Sequence, residues 1–322
     1  MTKSLNRFFE YLLFCFLLFF SAILCTGNFT SSVLDGVSLW AVVVLPSLFP
    51  YFFITAILSS LSVTSKISNK LSPFFNKVFG VSGAVGFCYL VSLVSGYPVG
   101  AKSVADLKEN GVIGQVESVR ASALCSTSSP MFLIGSVGSI MFHSTAFGLA
   151  LFITHLLSSL IIGFIFSFYK RNIRPQNTPT LTNDRKIDNL LYESAYSSVI
   201  SILIVGGLIT VFYLLTEILL FYKILSPIIN LLSAVLGENS TAFVLGVFEC
   251  TKGLKVLSSF GISLGGFSLC AFICGLGGIS VIAQSLAYLK KAKIKTAPFL
   301  LGKVGQAVIS LLIALIIYPI CF

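Results

Sequence analysis

The residues best placed to do chemistry fall in three short stretches of an otherwise apolar chain. Ser95-Gly96-Tyr97-Pro98-Val99-Gly100-Ala101-Lys102 sets two glycines, a proline and a lysine between hydrophobic runs. That composition does not sustain a straight membrane-spanning helix. Broken backbone survives at membrane depth only when buried in protein or beside a wet cavity. Glu249-Cys250-Thr251-Lys252-Gly253-Leu254-Lys255 packs a carboxylate and two lysines into one turn. Cys125-Ser126-Thr127-Ser128-Ser129-Pro130 adds small and hydroxylated residues ending in proline. Charged groups inside a bilayer are costly and mark functional sites by default. Half-helix N-termini attract anions, and unwound carbonyls hold cations. The expected chemistry is reversible binding of a small charged solute or a coupling ion. The candidate binding residues are Ser95, Gly96, Tyr97, Gly100, Lys102, Ser126, Thr127, Ser128, Glu249, Thr251, Lys252, Gly253, Lys255 and Gly277. Purely structural explanations compete with this. The hydroxyls of 126–128 would re-satisfy backbone groups across helices, and Glu249 would pair with Lys252 or Lys255 to hold its turn together.

The elements that carry these stretches follow from composition. The chain is 56% hydrophobic and 10% charged, with a mean hydropathy of +0.98, which places it among polytopic membrane proteins. The net charge of +10 is no nucleic-acid signature, because the basic residues cluster in short connections between apolar runs. That is the positive-inside pattern. The eight cysteines form no C-x-x-C pair, and Cys270 and Cys274 share a helix face without a histidine or carboxylate at ligand spacing. No metal and no other cofactor is expected. His143 and His155 read as packing or interfacial residues. Neither G-x-x-x-x-G-K-[ST] nor H-E-x-x-H occurs, and no enzymatic activity is expected.

Apolar runs at 8–24, 35–60, 117–141, 145–169, 194–220, 263–289 and 299–320 predict seven spans. Pro46 and Pro50 predict a kinked, internal second span. Residues 63–79 mix Lys66, Lys70 and Lys77 with Leu71, Phe74, Phe75 and Val78, which suits a helix lying in the interface. The stretches around 95–102 and 249–255 predict two re-entrant helical hairpins.

The second half repeats the first. Leu71-Ser72-Pro73 recurs as Leu225-Ser226-Pro227, and Gly100-Ala101-Lys102 as Gly253-Leu254-Lys255. Pro73 precedes Gly100 by 27 residues and Pro227 precedes Gly253 by 26. A small-residue break follows each hairpin, at 125–130 and at Cys274-Gly275-Leu276-Gly277-Gly278. An odd number of crossings separates equivalent points, so the copies have inverted topology. The expected architecture is an all-α polytopic membrane protein. It has an N-terminal helix (1–29), a first gate-like repeat (30–170), a cytoplasmic loop (171–189) and a second, inverted repeat (190–322). The basic clusters put the N-terminus and the central loop in the cytoplasm.

These motifs resemble the bacterial sporulation integral membrane proteins of the YlbJ type. The residues that carry the resemblance are 95–102 and 125–130, with Glu249 to Gly253 and Gly275-Leu276-Gly277-Gly278 adding to it. That family is grouped with the nucleoside-recognition or gate domain of concentrative nucleoside transporters and ferrous-iron transporters. The resemblance implies a role in spore formation and movement of dipicolinate across the membrane around the forespore or the bacterial cytoplasmic membrane. Its implied partners are the lipid bilayer, a small organic anion, and a second copy of the chain or other sporulation membrane proteins. The nucleoside label describes fold ancestry and does not imply a nucleoside substrate. The central loop is short for that family.

Lys102, Lys252 and Lys255, with Arg120, favour a transporter or channel for a small organic anion. A cation or metal permease is the first alternative, weakened by few intramembrane carboxylates. A scaffold in a membrane complex is the second. The topology is directly testable: single cysteines introduced at Thr178 and Thr296 are expected to react with an impermeant thiol reagent from the cytoplasmic face alone.

Overall fold

The computed structural model describes residue 27 and residues 29–60, 63–175 and 189–322. The predicted first span at 8–24, and residues 176–188 of the central loop, lie outside the described residues. Within them the chain is all helical, with no strand. Five helices are long and apolar enough to cross a membrane, or six if one bent pair counts as a span.

The first long helix consists of α1 (Thr30–Leu39), a π-helical turn Trp40–Val44 and α2 (Leu45–Ser60). Pro46 and Pro50 cannot donate to the helical ladder, and hydroxyls of this helix back-bond to its own carbonyls. Ser47 Oγ donates to the Val44 carbonyl at 2.9 Å and Thr55 Oγ1 to the Tyr51 carbonyl at 2.7 Å. Helix α3 (Val63–Phe79) is amphipathic, with Lys66, Lys70 and Lys77 exposed and Phe75 and Phe79 buried. It meets α4 (Gly83–Ser95) at a 92° bend. After the break at 96–98 come α5 (Val99–Glu109) and α6 (Gln115–Leu124). The predicted span at 117–141 is interrupted at 125–130 and continues as a π-helical segment, Met131–Met141. Then follow α7 (Thr145–Ser167) and, beyond the central loop, α8 (Leu190–Phe221). The remaining elements are α9 (Ser226–Leu236), α10 (Asn239–Phe248), α11 (Cys250–Ser258), α12 (Leu264–Leu276), α13 (Gly278–Lys291) and α14 (Thr296–Cys321).

The packing is that of a protein dissolved in lipid. On α7, Leu149, Ile153, Leu157, Ile161 and Phe164 are exposed at near-helical spacing. The opposite face turns Thr154, His155, Ser158 and Ser159 inward. An exposed apolar stripe over a polar interior suits a bilayer, where the solvent is as apolar as the side chains. Small residues let the inner helices approach closely. Gly138 and Gly148 sit back to back, and Gly206 lies under the Trp40 ring. Helix α12 packs along α14, where Gly275 faces Ala307 and Ser310. Ser310 Oγ donates to Ser158 Oγ at 2.7 Å, joining α14 to α7. One apolar cluster centres on Phe142, Phe147 and Phe267, with the first two rings stacked at 4.1 Å. A second joins α3–α6 to Leu289, Ile294 and Phe299.

Arg120 fastens α6 to its neighbours. Its guanidinium donates to the carbonyls of Gly80 (2.6 Å), Tyr169 (3.0 and 2.9 Å) and Lys170 (2.9 Å). It therefore caps the end of α7 rather than facing a solute.

Gly253 leaves no room for a side chain, since a Cβ there would collide with the Gly246 backbone. Gly253→Ala is expected to lower stability by about 1–3 kcal/mol, the usual cost of overpacking. Gly207→Ala, at a position facing open space, should be neutral. Thermal unfolding of both variants in detergent checks the pair.

Candidate functional site

The two breaks identified by sequence converge on one cavity of about 30 Å³. Gly96 and Tyr97 line it from the first, and Glu249, Cys250 and Thr251 from the second. Ser128 and Ser129 of the 125–130 break complete the polar lining with Gln284 of α13. Val44, Leu48, Phe132, Val205, Ile209 and Val281 form the apolar wall. Glycines sit at two of the breaks. Gly96 adopts φ +79°. Gly277 and Gly278 adopt φ +81° and +75°, a region that favours glycine. A Cβ on Gly277 would lie 3.7 Å from the Tyr97 ring, and one on Gly278 3.0 Å from the Cys250 nitrogen. The break after α12 thus abuts both other tips.

Side chains from two helices hold the 125–130 break, and a third approaches it. From α4, Ser92 Oγ donates to the Cys125 carbonyl at 2.8 Å and also meets Thr127 Oγ1 at 2.8 Å. From α7, His155 Nε2 accepts the Ser128 N–H at 2.8 Å. From α14, Lys303 Nζ reaches the Ser126 carbonyl at 3.5 Å. Gly100, opening α5, lies against the Cys125 carbonyl with no space for a Cβ. Ser95 is fully buried and bonds Thr55 Oγ1 at 2.7 Å, which ties the first tip to α2.

The lysines distribute differently from the simple tip picture. Lys252 is buried and turns toward α8, where it pairs with Glu217 at 2.8 Å. It also donates to the Thr216 hydroxyl and lies 4.1 Å from the centre of the Tyr213 ring. Glu249 bonds the backbone of Lys252: its Oε2 accepts the Lys252 N–H at 2.7 Å as the cap of α11. Lys255 is exposed. Lys102 lines a second hollow of about 550 Å³ and donates to Ser197 Oγ at 3.0 Å. Ser194, Ser198 and Ser201 of α8 also line that hollow, as do Asp106, Glu109 and Glu193.

Several buried polar atoms at the centre have no hydrogen-bond partner among the described residues. They include Glu249 Oε1, both amide atoms of Gln284, Ser126 Oγ, His155 Nδ1 and Gln306 Nε2. Buried groups are nearly always satisfied, so a cluster of exceptions marks a place for water, ion or solute. Sequence reading did not single out Gln284, Ser129 or Cys250 as cavity residues, nor Lys303 and Gln306 as buried polar groups. A lone glutamine in an apolar helix was the available signal for Gln284. The sequence also contains a G-x-S-x-G run, Gly261 to Gly265, which superficially suggests a hydrolase nucleophile. Ser263 there caps α12, its Oγ accepting the Gly266 N–H at 3.1 Å. Among the described residues, no group of three or more His, Cys, Asp and Glu side chains is arranged to hold a metal ion.

Residues 41–170 match the family model described as nucleoside recognition, the Gate family. The chain is 28% identical to the sporulation integral membrane protein YlbJ of Bacillus subtilis, over 88% of this chain and 76% of that one. The resemblance read from the motifs is thus met by comparison. The five long apolar helices among the described residues have the length and composition to cross a membrane. No solved structure matches the chain.

His155→Leu removes the acceptor for the Ser128 N–H inside the broken segment. The expected cost is about 1–3 kcal/mol, that of stranding a buried donor. Melting in detergent should fall accordingly, and Ser92→Ala should behave alike. An unchanged melt for both would show that these side chains do not hold the break.

Proposed function

We propose that this protein is a sporulation-associated membrane transporter or channel for a small organic anion, with dipicolinate the substrate suggested by the resemblance. The carrying observation is that two broken segments from opposite halves of the chain line one small cavity, whose mostly apolar wall carries a few polar groups. Such sites, at the junction of discontinuous helices, are the hallmark of alternating-access transporters.

The order of elements supports a duplicated architecture. The long helix α1–α2, the interfacial α3, the pair α4–α5, the broken α6 with its π-helical segment, and α7 recur in sequence. Their counterparts are α8, α9, α10–α11, α12–α13 and α14. We read these as inverted repeats over 30–170 and 190–322, with α4–α5 and α10–α11 as re-entrant hairpins. On this reading the N-terminus is cytoplasmic and the protein resides in the cytoplasmic membrane or the membrane around the forespore. A second copy of the chain or other sporulation membrane proteins are its proposed partners. The solute crosses chemically unchanged.

An anionic solute is favoured by the helix ends. Helices α5 and α13 begin at the breaks with no side-chain cap. The Val99 N–H is taken by the Gly96 carbonyl, but no side chain caps the N–H groups that follow, and the positive dipole ends of both helices favour an oxyanion. The cavity holds about 30 Å³, the volume of roughly one water, so a dicarboxylate requires the tips to part. We read the conformation as closed. Lys102 is the proposed first contact, in the larger hollow, although Asp106, Glu109 and Glu193 line the same hollow and oppose an anion there. The unpartnered Glu249 oxygen favours a second reading, a cation permease of ferrous-iron type.

Uptake into vesicles containing the purified protein separates the two. Dipicolinate should accumulate saturably, while ferrous ion and uridine should not; ferrous uptake without dipicolinate uptake would establish the second reading instead. Thr251→Val keeps the side-chain shape and removes a cavity hydroxyl. Dipicolinate uptake should then fall about tenfold, the worth of one hydrogen bond near 1.4 kcal/mol.

A further inference from the structure

Behind Tyr97 lies a polar group that the central cavity does not include. Lys303, on α14, is 2% exposed. Its ammonium has two long contacts, 3.5 Å to the Ser126 carbonyl and 3.3 Å to Gln306 Oε1, and sits 5.2 Å from the Tyr97 ring centre. Ordinary N–H···O bonds are about 2.7–3.2 Å, so its three donors are poorly met. The ion pairs among the described residues join Lys252 to Glu217 and Lys291 to Glu109, leaving Lys303 without a carboxylate. A buried charge persists only if something compensates it.

The unmet neighbours can all donate. Gln306 Nε2 has no partner, and neither has Ser126 Oγ, which can donate. His155 accepts at Nε2, so its proton sits on Nδ1, which also lacks a partner. All three residues are at most 2% exposed. A cation ringed by spare donors is the complement of an oxyanion.

We propose that Lys303, with Gln306 and Ser126, forms the subsite for a carboxylate of the transported solute, and that Tyr97 is the partition between this subsite and the central cavity. The inference rests on the transport reading and assigns its charge recognition to a residue outside all three motifs. In the closed conformation the Tyr97 ring faces the ammonium in place of the carboxylate. Parting of the tips exchanges one for the other.

The test uses full-length protein in detergent at constant ionic strength, with dipicolinate, inorganic phosphate and uridine as probes of thermal stability. Wild type should be stabilised by dipicolinate in a saturable manner, and much less by phosphate or uridine. Lys303→Met should fold, with an unliganded melting temperature equal to or above wild type, because it removes an uncompensated buried charge. Its half-saturating dipicolinate concentration should rise at least tenfold, with a matching loss of vesicle uptake. Gln306→Leu, which leaves the charge in place, should weaken the response several-fold, and it decides the matter should Lys303→Met not fold. A wild-type half-saturation in the folded variants would overturn the subsite while leaving the transport reading intact. Stronger stabilisation by phosphate would overturn the carboxylate assignment. No response of wild type to any anion, with no anion uptake, would overturn both.

Discussion

Every backbone group that a helix break frees inside a bilayer must find a partner within the protein, because lipid offers none. The segment 125–130 shows what that demands. Its carbonyls and N–H groups are met by Ser92 of α4 and His155 of α7. Those helices must therefore surround it, and they do so closely because glycines and serines line their contacts. The break in turn supplies a floor against which Gly100 packs, and so positions the first tip. Remove the break, and neither the close helix contacts nor the cavity has a reason to exist.

The same constraint sorts the charges. Lys252 is a buried lysine whose cost is offset by Glu217, a hydroxyl and an aromatic ring. Glu249 is a buried carboxylate partly neutralised by the N-terminus of its own helix. Arg120 spends its guanidinium on carbonyls at a helix end. Lys252 and Arg120 thus belong to the architecture, whereas Glu249 keeps one oxygen without a hydrogen-bond partner among the described residues. Lys303 differs, since its contacts are long and its neighbours are donors with nothing to receive them. Charge that the fold does not consume is available to a ligand.

Much of this was legible in the residues. Glycine and proline at 96–100 and 277–278 cannot propagate a membrane helix, so the breaks were visible without coordinates. Their convergence was suggested by the internal repeat, and the cavity brings residues of both tips together. The roles of individual lysines were not legible. Gly100-Ala101-Lys102 and Gly253-Leu254-Lys255 match in sequence, yet Lys102 lines the larger hollow while Lys255 is exposed. Sequence proximity suggested a pair between Glu249 and Lys252; the lysine side chain instead reaches Glu217, thirty-five positions away. Lys303 and Gln306 stood out in no motif, and α14 buries both in the interior.

What the sequence by itself determined is the class of molecule and the places where its helices fail. Hydropathy and backbone chemistry are local properties, additive along the chain. Which charge finds which partner was decided only by tertiary structure. A lysine head travels on a long flexible stem, and its neighbours are set by helices that meet far from it in sequence. Burial and pairing are properties of that meeting. They separate Lys252, satisfied within the fold, from Lys303, which is not.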